Sequence, residues 1–132
     1  MKITVKPTGQ MRMDIEVGGF VVKTDLPEDK GGEGTAPNPF QILLVSIAAC
    51  SSLYALGFFQ KRGLSTEGLE MEQHHEFDEA GARLTKVLTT VKLPAQFPEK
   101  YRDALLRSVE KCKVRQTILD PPEFEVTTSS AD

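Results

Sequence analysis

The sequence contains no tryptophan, and aromatic residues make up only 7% of it. A surface that stacks unpaired bases needs several such rings, so a single-stranded nucleic acid is excluded as a partner. Basic residues are not in excess either. Sixteen Lys and Arg stand against nineteen Asp and Glu, for a net charge of -3. Duplex phosphates would demand the opposite balance. Cysteine is scarce too: Cys50 and Cys112 are too few to staple a secreted scaffold. The N-terminus, MKITVKPTGQ, has no apolar run and no cleavage site. These absences predict a cytoplasmic protein whose thiols stay reduced and free for chemistry. What is present, 132 residues with 39% hydrophobic and 27% charged, suits a single globular domain over 1–132.

One long stretch lacks charge altogether. From Asn38 to Gln60 there are 23 residues without a single charge, including ILLVSIAACSSLYALGFF. Its length would span a bilayer. Gln41, Ser46, Ser51 and Ser52 interrupt it, however, and no aromatic and basic girdles flank it. A helix apolar on all sides is equally the centre of a soluble core or a dimer interface, and that reading is preferred over a membrane span.

Strand and helix signals alternate along the chain. Lys2–Lys6 alternates, and Pro7-Thr8-Gly9 is turn chemistry. Met11–Val17 puts Met11, Met13, Ile15 and Val17 on one face, and Gly18-Gly19 turns it into Phe20–Asp25. Leu26–Pro37 is a loop rich in Gly, Pro and charge. Asn38 as N-cap, Pro39 at the first helical position and Gln41 as its capping-box partner start the long helix. Lys61-Arg62 and Gly63 end it. At 1.5 Å per residue this helix is roughly 36 Å long, more than the domain needs, which points to burial between two protomers.

Leu69–Phe77 and Ala82–Leu93 read as two further strands joined at Asp78-Glu79-Ala80-Gly81. A second helix from Pro98 to Cys112 places Tyr101, Leu105, Ser108, Val109 and Cys112 on one face. A helical turn over Cys112–Leu119 precedes the Pro121-Pro122 break. Phe124–Thr127 reads as a final strand and Thr128–Asp132 as a disordered tail. Three strands, a long helix, two strands and a helix make an α+β fold.

Few residues can carry chemistry. His74 and His75 are adjacent in a strand and point to opposite faces, so they cannot share a metal, and no metal or cofactor is expected. No Gly-x-Ser-x-Gly elbow is present. The two thiols are the candidates that remain. Cys50 sits among the small residues Ala48, Ala49, Ser51 and Ser52, which leave room over its sulfur. Burial alone would make it inert, so its activation must come from another element. Cys112 lies between Lys111 and Lys113, near a helix end, and both features favour its thiolate. Each could instead simply fill a core.

Thr35-Ala36-Pro37-Asn38-Pro39 leading into Leu43-Leu44 and Ala48-Ala49-Cys50 resembles the first-cysteine helix of the OsmC family, which includes the organic hydroperoxide resistance proteins. Cys112-Lys113-Val114 is similar to that family's second, Cys-x-Val segment. The resemblance spans Phe20 to Val126. It implies an intertwined homodimer with sites built at the interface, and thiol-dependent reduction of a small-molecule peroxide. By the same resemblance Cys50 would be the peroxidatic thiol and Cys112 the resolving one, with an external dithiol as reductant.

The sequence departs from the family at one point. The Glu found ten or nine positions before the first cysteine is replaced here by Phe40 and Gln41. Arg12 is then a possible partner for the thiolate, without that acid to orient it. A slow peroxidase, or a non-enzymatic ligand-binding or redox-sensing dimer on the same fold, is the alternative.

Overall fold

The computed structural model describes residues 1–130 and divides into two compact units, Met1–Ser46 and the remainder of the chain from Ile47. In the first unit, β1 (Ile3–Gly9), β2 (Arg12–Val17) and β3 (Phe20–Thr24) form an antiparallel meander in the order β1-β2-β3. The β2–β3 hairpin closes through Gly18 and Gly19, whose φ values of 54° and 83° are the left-handed region a tight turn needs.

The first strand differs from the sequence expectation. It runs through Pro7, which pairs with Met13, and shifts register before Gly9 pairs with Arg12. Proline is tolerated there because β1 is an edge strand. The turn falls instead at Gln10, with φ of 46°.

After β3 the chain enters the loop over 26–37, which contains a short 3-10 turn at Glu28–Lys30. This loop is organised by a buried carboxylate. Asp25 accepts hydrogen bonds from the backbone N–H groups of Leu26, Glu33 and Thr35 and, at 2.7 Å, from the Thr35 hydroxyl. Thr24 anchors the far end by donating to the Pro37 carbonyl at 2.8 Å. Gly32 is obligatory on steric grounds, since a Cβ there would lie 1.9 Å from the Leu26 carbonyl oxygen.

Helix α1 (Pro39–Lys61) begins with the expected reciprocal cap. Gln41 Oε1 accepts from the Asn38 N–H at 2.9 Å, and Asn38 Oδ1 accepts from the Gln41 N–H at 2.8 Å. It ends in a Schellman motif: Gly63, with φ of 63°, donates to the Gln60 carbonyl and Leu64 donates to that of Phe59.

The second unit pairs β4 (Glu70–Phe77) with β5 (Leu84–Lys92) in an antiparallel hairpin. Its core is Ala55, Phe58 and Phe59 of α1 with Leu105 and Val109 of α2 (Arg102–Val109), surrounded by Met71, Val91 and Phe97. The Phe59 and Phe97 rings lie 5.2 Å apart, and Phe58 meets Tyr101 edge-on at 6.1 Å. The second helix is shorter than its periodicity suggests. A 3-10 turn at Glu99–Tyr101 precedes it, and Lys111 and Cys112 donate to the Ser108 and Val109 carbonyls, three residues back. Cys112 then turns extended, with ψ of 121°, before α3 (Lys113–Leu119) begins.

The strand expected at Phe124–Thr127 is not formed. Phe124 and Val126 are exposed there, and among the described residues no strand edge pairs with the segment. Without a neighbour to satisfy its backbone, alternation alone does not make a strand. Of the expected disordered tail, Ala131 and Asp132 lie outside the described residues. The fold is α+β, as read from the sequence.

Candidate functional site

Cys50 and Ser51 are consecutive in α1, whereas Cys112 stands at the corner between α2 and α3. That corner is pinned on both sides. The Val109 carbonyl accepts the Cys112 N–H at 3.2 Å, and the Cys112 carbonyl accepts the Gln116 N–H at 2.9 Å. The Glu110 carbonyl also accepts from Arg115 Nη1 at 3.1 Å and Gln116 Nε2 at 3.0 Å.

Cys112 acts as the N-cap of α3: its sulfur accepts the Arg115 N–H at 3.4 Å. The structure also brings the two thiols together. The Cys50 and Ser51 side chains and the Val114 N–H act on the Cys112 sulfur and favour its thiolate. Burial pushes the Cys112 thiol up, but the Arg115 N–H, Cys50, Ser51 and Val114 outweigh it and hold its pKa below the ordinary 9.0. The expected influence of Lys111 and Lys113 is not among the causes; hydrogen bonds favour the thiolate here.

The two sulfurs differ in access. Cys112 is fully buried, while Cys50 is only partly so. Ser51 is buried as well, and it behaves unlike its neighbours. Ser46 and Ser52 donate to the carbonyls of Ile42 and Ala48 on their own helix, whereas the Ser51 side chain turns to Cys112. Beside Ser51 lies a cavity of about 350 Å3, walled by Ile47, Val87, Val109, Leu106 and Ile118, with Arg115 among its lining residues.

Sequence reasoning found both thiols and missed Ser51 and Arg115 as their partners. Ser51 had one available signal, its position next to Cys50 on a helix. Arg115 had none, because its backbone N–H acts and not its side chain.

The other candidates have separate roles. Arg12, in the first unit, stands 3.5 Å from Glu33 Oε1 through its Nε. Gln41 is occupied by the helix cap, and Phe40 is exposed in the first turn of α1. His75 Nε2 lies 2.7 Å from Gln73 Nε2, whereas His74 is 3.7 Å from Glu72 on the exposed face. Among the described residues no group of three His, Cys, Asp or Glu could hold a metal.

Comparison with known proteins identifies the lineage. No curated protein matches the sequence. Solved structures do match the fold. An OsmC-like protein from Mycoplasma pneumoniae superposes with a TM-score of 0.70 at 17% identity, covering 91% of this chain and 87% of its own. A Psychrobacter arcticus protein named for osmotic stress induction and a detoxification response gives 0.74 at 18%, covering 89% and 87%. An organic hydroperoxide resistance protein OsmC from Legionella pneumophila gives 0.57 at 20%, covering 89% of each chain. The sequence itself matches the OsmC-like protein family over residues 32–127, a stretch that includes both cysteines and both of their helices. The chain belongs to the OsmC-like family.

Proposed function

We propose that this chain is a thiol-dependent peroxidase that reduces organic hydroperoxides with Cys50 and Cys112 as its redox pair, in defence against oxidative stress. The observation that carries this reading is that the Cys50 side chain acts on the Cys112 sulfur and favours its thiolate. Cys50, the more accessible thiol, is the one that meets the peroxide. Its proton passes to the Cys112 thiolate. The Cys50 thiolate then attacks the terminal oxygen of the hydroperoxide and breaks the O–O bond. The alkoxide leaves and takes the proton from the Cys112 thiol to become the alcohol, which restores the Cys112 thiolate, and Cys50 becomes a sulfenic acid. Cys112 attacks that sulfur as a thiolate, hydroxide leaves and is protonated to water, and a disulfide forms. An external dithiol returns both cysteines to thiols.

The same reading takes residues 1–132 as one domain of a cytoplasmic homodimer, neither membrane-bound nor associated with nucleic acid. Supporting the dimer, α1 exposes Phe40, Leu43, Val45 and Leu56, with Val45 60% accessible. Apolar side chains at that density on one helix are covered in a stable protein. Static light scattering checks it, with a mass of about 29 kDa expected, twice that of the 14.6 kDa chain.

A second reading, a redox-sensing or ligand-binding dimer, is favoured by Phe40 and Gln41, which leave the first turn of α1 without an acid. Free-thiol titration and intact mass after one equivalent of cumene hydroperoxide separate the two. Loss of both thiols and about 2 Da per chain is the expected result for disulfide formation. Two unchanged thiols would reject the peroxidase and leave the binding protein.

A further inference from the structure

The second unit carries a cleft of about 360 Å3 between the C-terminal half of α1 and α2. Four of its lining residues are cations: Lys61, Arg62, Arg107 and Lys111. Among the described residues no carboxylate lines it. This is unusual in a chain whose net charge is -3. Several cations elsewhere are paired, as in Lys6–Glu16, Lys23–Asp14, Lys92–Glu72 and Arg102–Glu99. Among the described residues none of the four cleft cations has an acidic partner within ion-pair distance.

Arg107 lies in the last turn of α2 and Lys111 just past its end, and both line the cleft. Their convergence favours an anion from outside the chain. Arg62 is also prepared for one. Its guanidinium carbon lies over the Phe58 ring, 3.6 Å from the centroid, and 5.3 Å from that of Tyr101. This cation–π contact holds the side chain at the cleft, where its N–H groups are donors for a ligand. The hydroxyls of Tyr54 and Ser108 line the same space, and Leu53 and Phe58 supply an apolar wall. Tyr54 stands one helical turn beyond Cys50 on the same side of α1.

We propose that this cleft is a binding site for a small organic anion, with a carboxylate or phosphate head against Arg107, Lys111 and Arg62 and an aromatic or other apolar body against Leu53 and Phe58. It involves no redox step and stands or falls separately from the peroxidase activity.

Calorimetric titration of the reduced protein tests it with four probes: phenyl phosphate, phenylacetate, inorganic phosphate and benzyl alcohol. Saturable binding of at least one aryl anion is expected, one per chain, with benzyl alcohol and inorganic phosphate each about tenfold weaker or more. Whichever aryl anion binds more tightly identifies the head group. Added salt weakens the aryl anions, and the double variant Arg107→Gln/Lys111→Gln lowers their affinity about tenfold or more while its thermal melt stays that of the parent. Absence of binding, equal affinity for benzyl alcohol, equal affinity for inorganic phosphate, or full affinity in the double variant would each overturn the proposal.

Discussion

The Ser51 side chain acts on the sulfur of Cys112 and favours its thiolate, so a hydroxyl one residue beyond Cys50 in the sequence serves the other cysteine in space. The contact sets a direction for the chemistry of the pair. A thiol held below its ordinary pKa is the better leaving group when a disulfide is reduced. In the proposed redox pair Cys112 would therefore be the sulfur released, and the more accessible Cys50 the one a reductant attacks.

Ser51→Ala removes one of the groups that lower the Cys112 pKa, against the burial that raises it. The pKa rises and the thiolate fraction near neutral pH falls. Ultraviolet titration of the thiolate in a Cys50→Ser background reads this directly, and reduction of the oxidised Ser51→Ala protein by a dithiol slows. Superimposable titration curves with and without Ser51 would remove the residue from this role. Alanine favours helix, so the fold itself is expected to persist.

Asp25 is expected to make the stability of the first unit acid-sensitive. Burial raises its pKa, but hydrogen bonds from the Thr35 hydroxyl and the N–H groups of Thr35, Leu26 and Glu33 prevail and bring it to about 2, from 3.8. A carboxyl with a depressed folded pKa contributes stability that is present above the unfolded value and lost as pH falls through the folded one. Stability therefore declines between pH 3.8 and about 2. Asp25→Asn should melt lower than the parent at neutral pH and converge with it at the acid end, as thermal melts across that range would record. A constant gap at every pH would exclude the carboxylate as the cause.

Asn38→Ala removes one half of the reciprocal cap on α1 and frees the Gln41 side chain. A loss of about 1 kcal/mol in a urea melt is expected. Asn38→Asp, which keeps an acceptor at the helix start, should recover most of it. No difference between the alanine and aspartate variants would mean that the cap contributes nothing measurable.

Phe59→Ala opens a cavity at the centre of the second unit, where the ring is fully buried against Phe97, Phe58 and Leu105. The expected cost is about 4 kcal/mol, from lost apolar burial and incomplete collapse around the void. Denaturant unfolding measures it. A loss below that of Asn38→Ala would show that this cluster is not the core on which the unit depends.

The long helix was legible because its signals are local. Asn38, Pro39 and Gln41 start it, and Gly63 stops it, each through contacts within a turn or so of its own position. The β2–β3 hairpin was equally legible from Gly18-Gly19. The errors lie where a distant neighbour decides. Pro7 reads as a turn residue, yet it pairs with Met13 because β1 is an edge strand. Phe124–Thr127 alternates like a strand but pairs with no edge among the described residues. The second helix stops short of its periodic face because Cys112 leaves helical geometry to cap α3.

By itself the sequence determined the α+β order of elements and the apolar character of α1, and it nominated Cys50 and Cys112 as candidate residues for chemistry. Helical period, strand alternation and caps are properties of neighbours along the chain, and two thiols in small-residue and basic contexts are visible without coordinates. The tertiary structure alone decided which groups surround the Cys112 sulfur. Cys50 and Ser51 reach it from one helix and the Arg115 N–H from another. Electrostatic effects depend on distance in space, and the two segments that supply them lie some sixty residues apart in sequence.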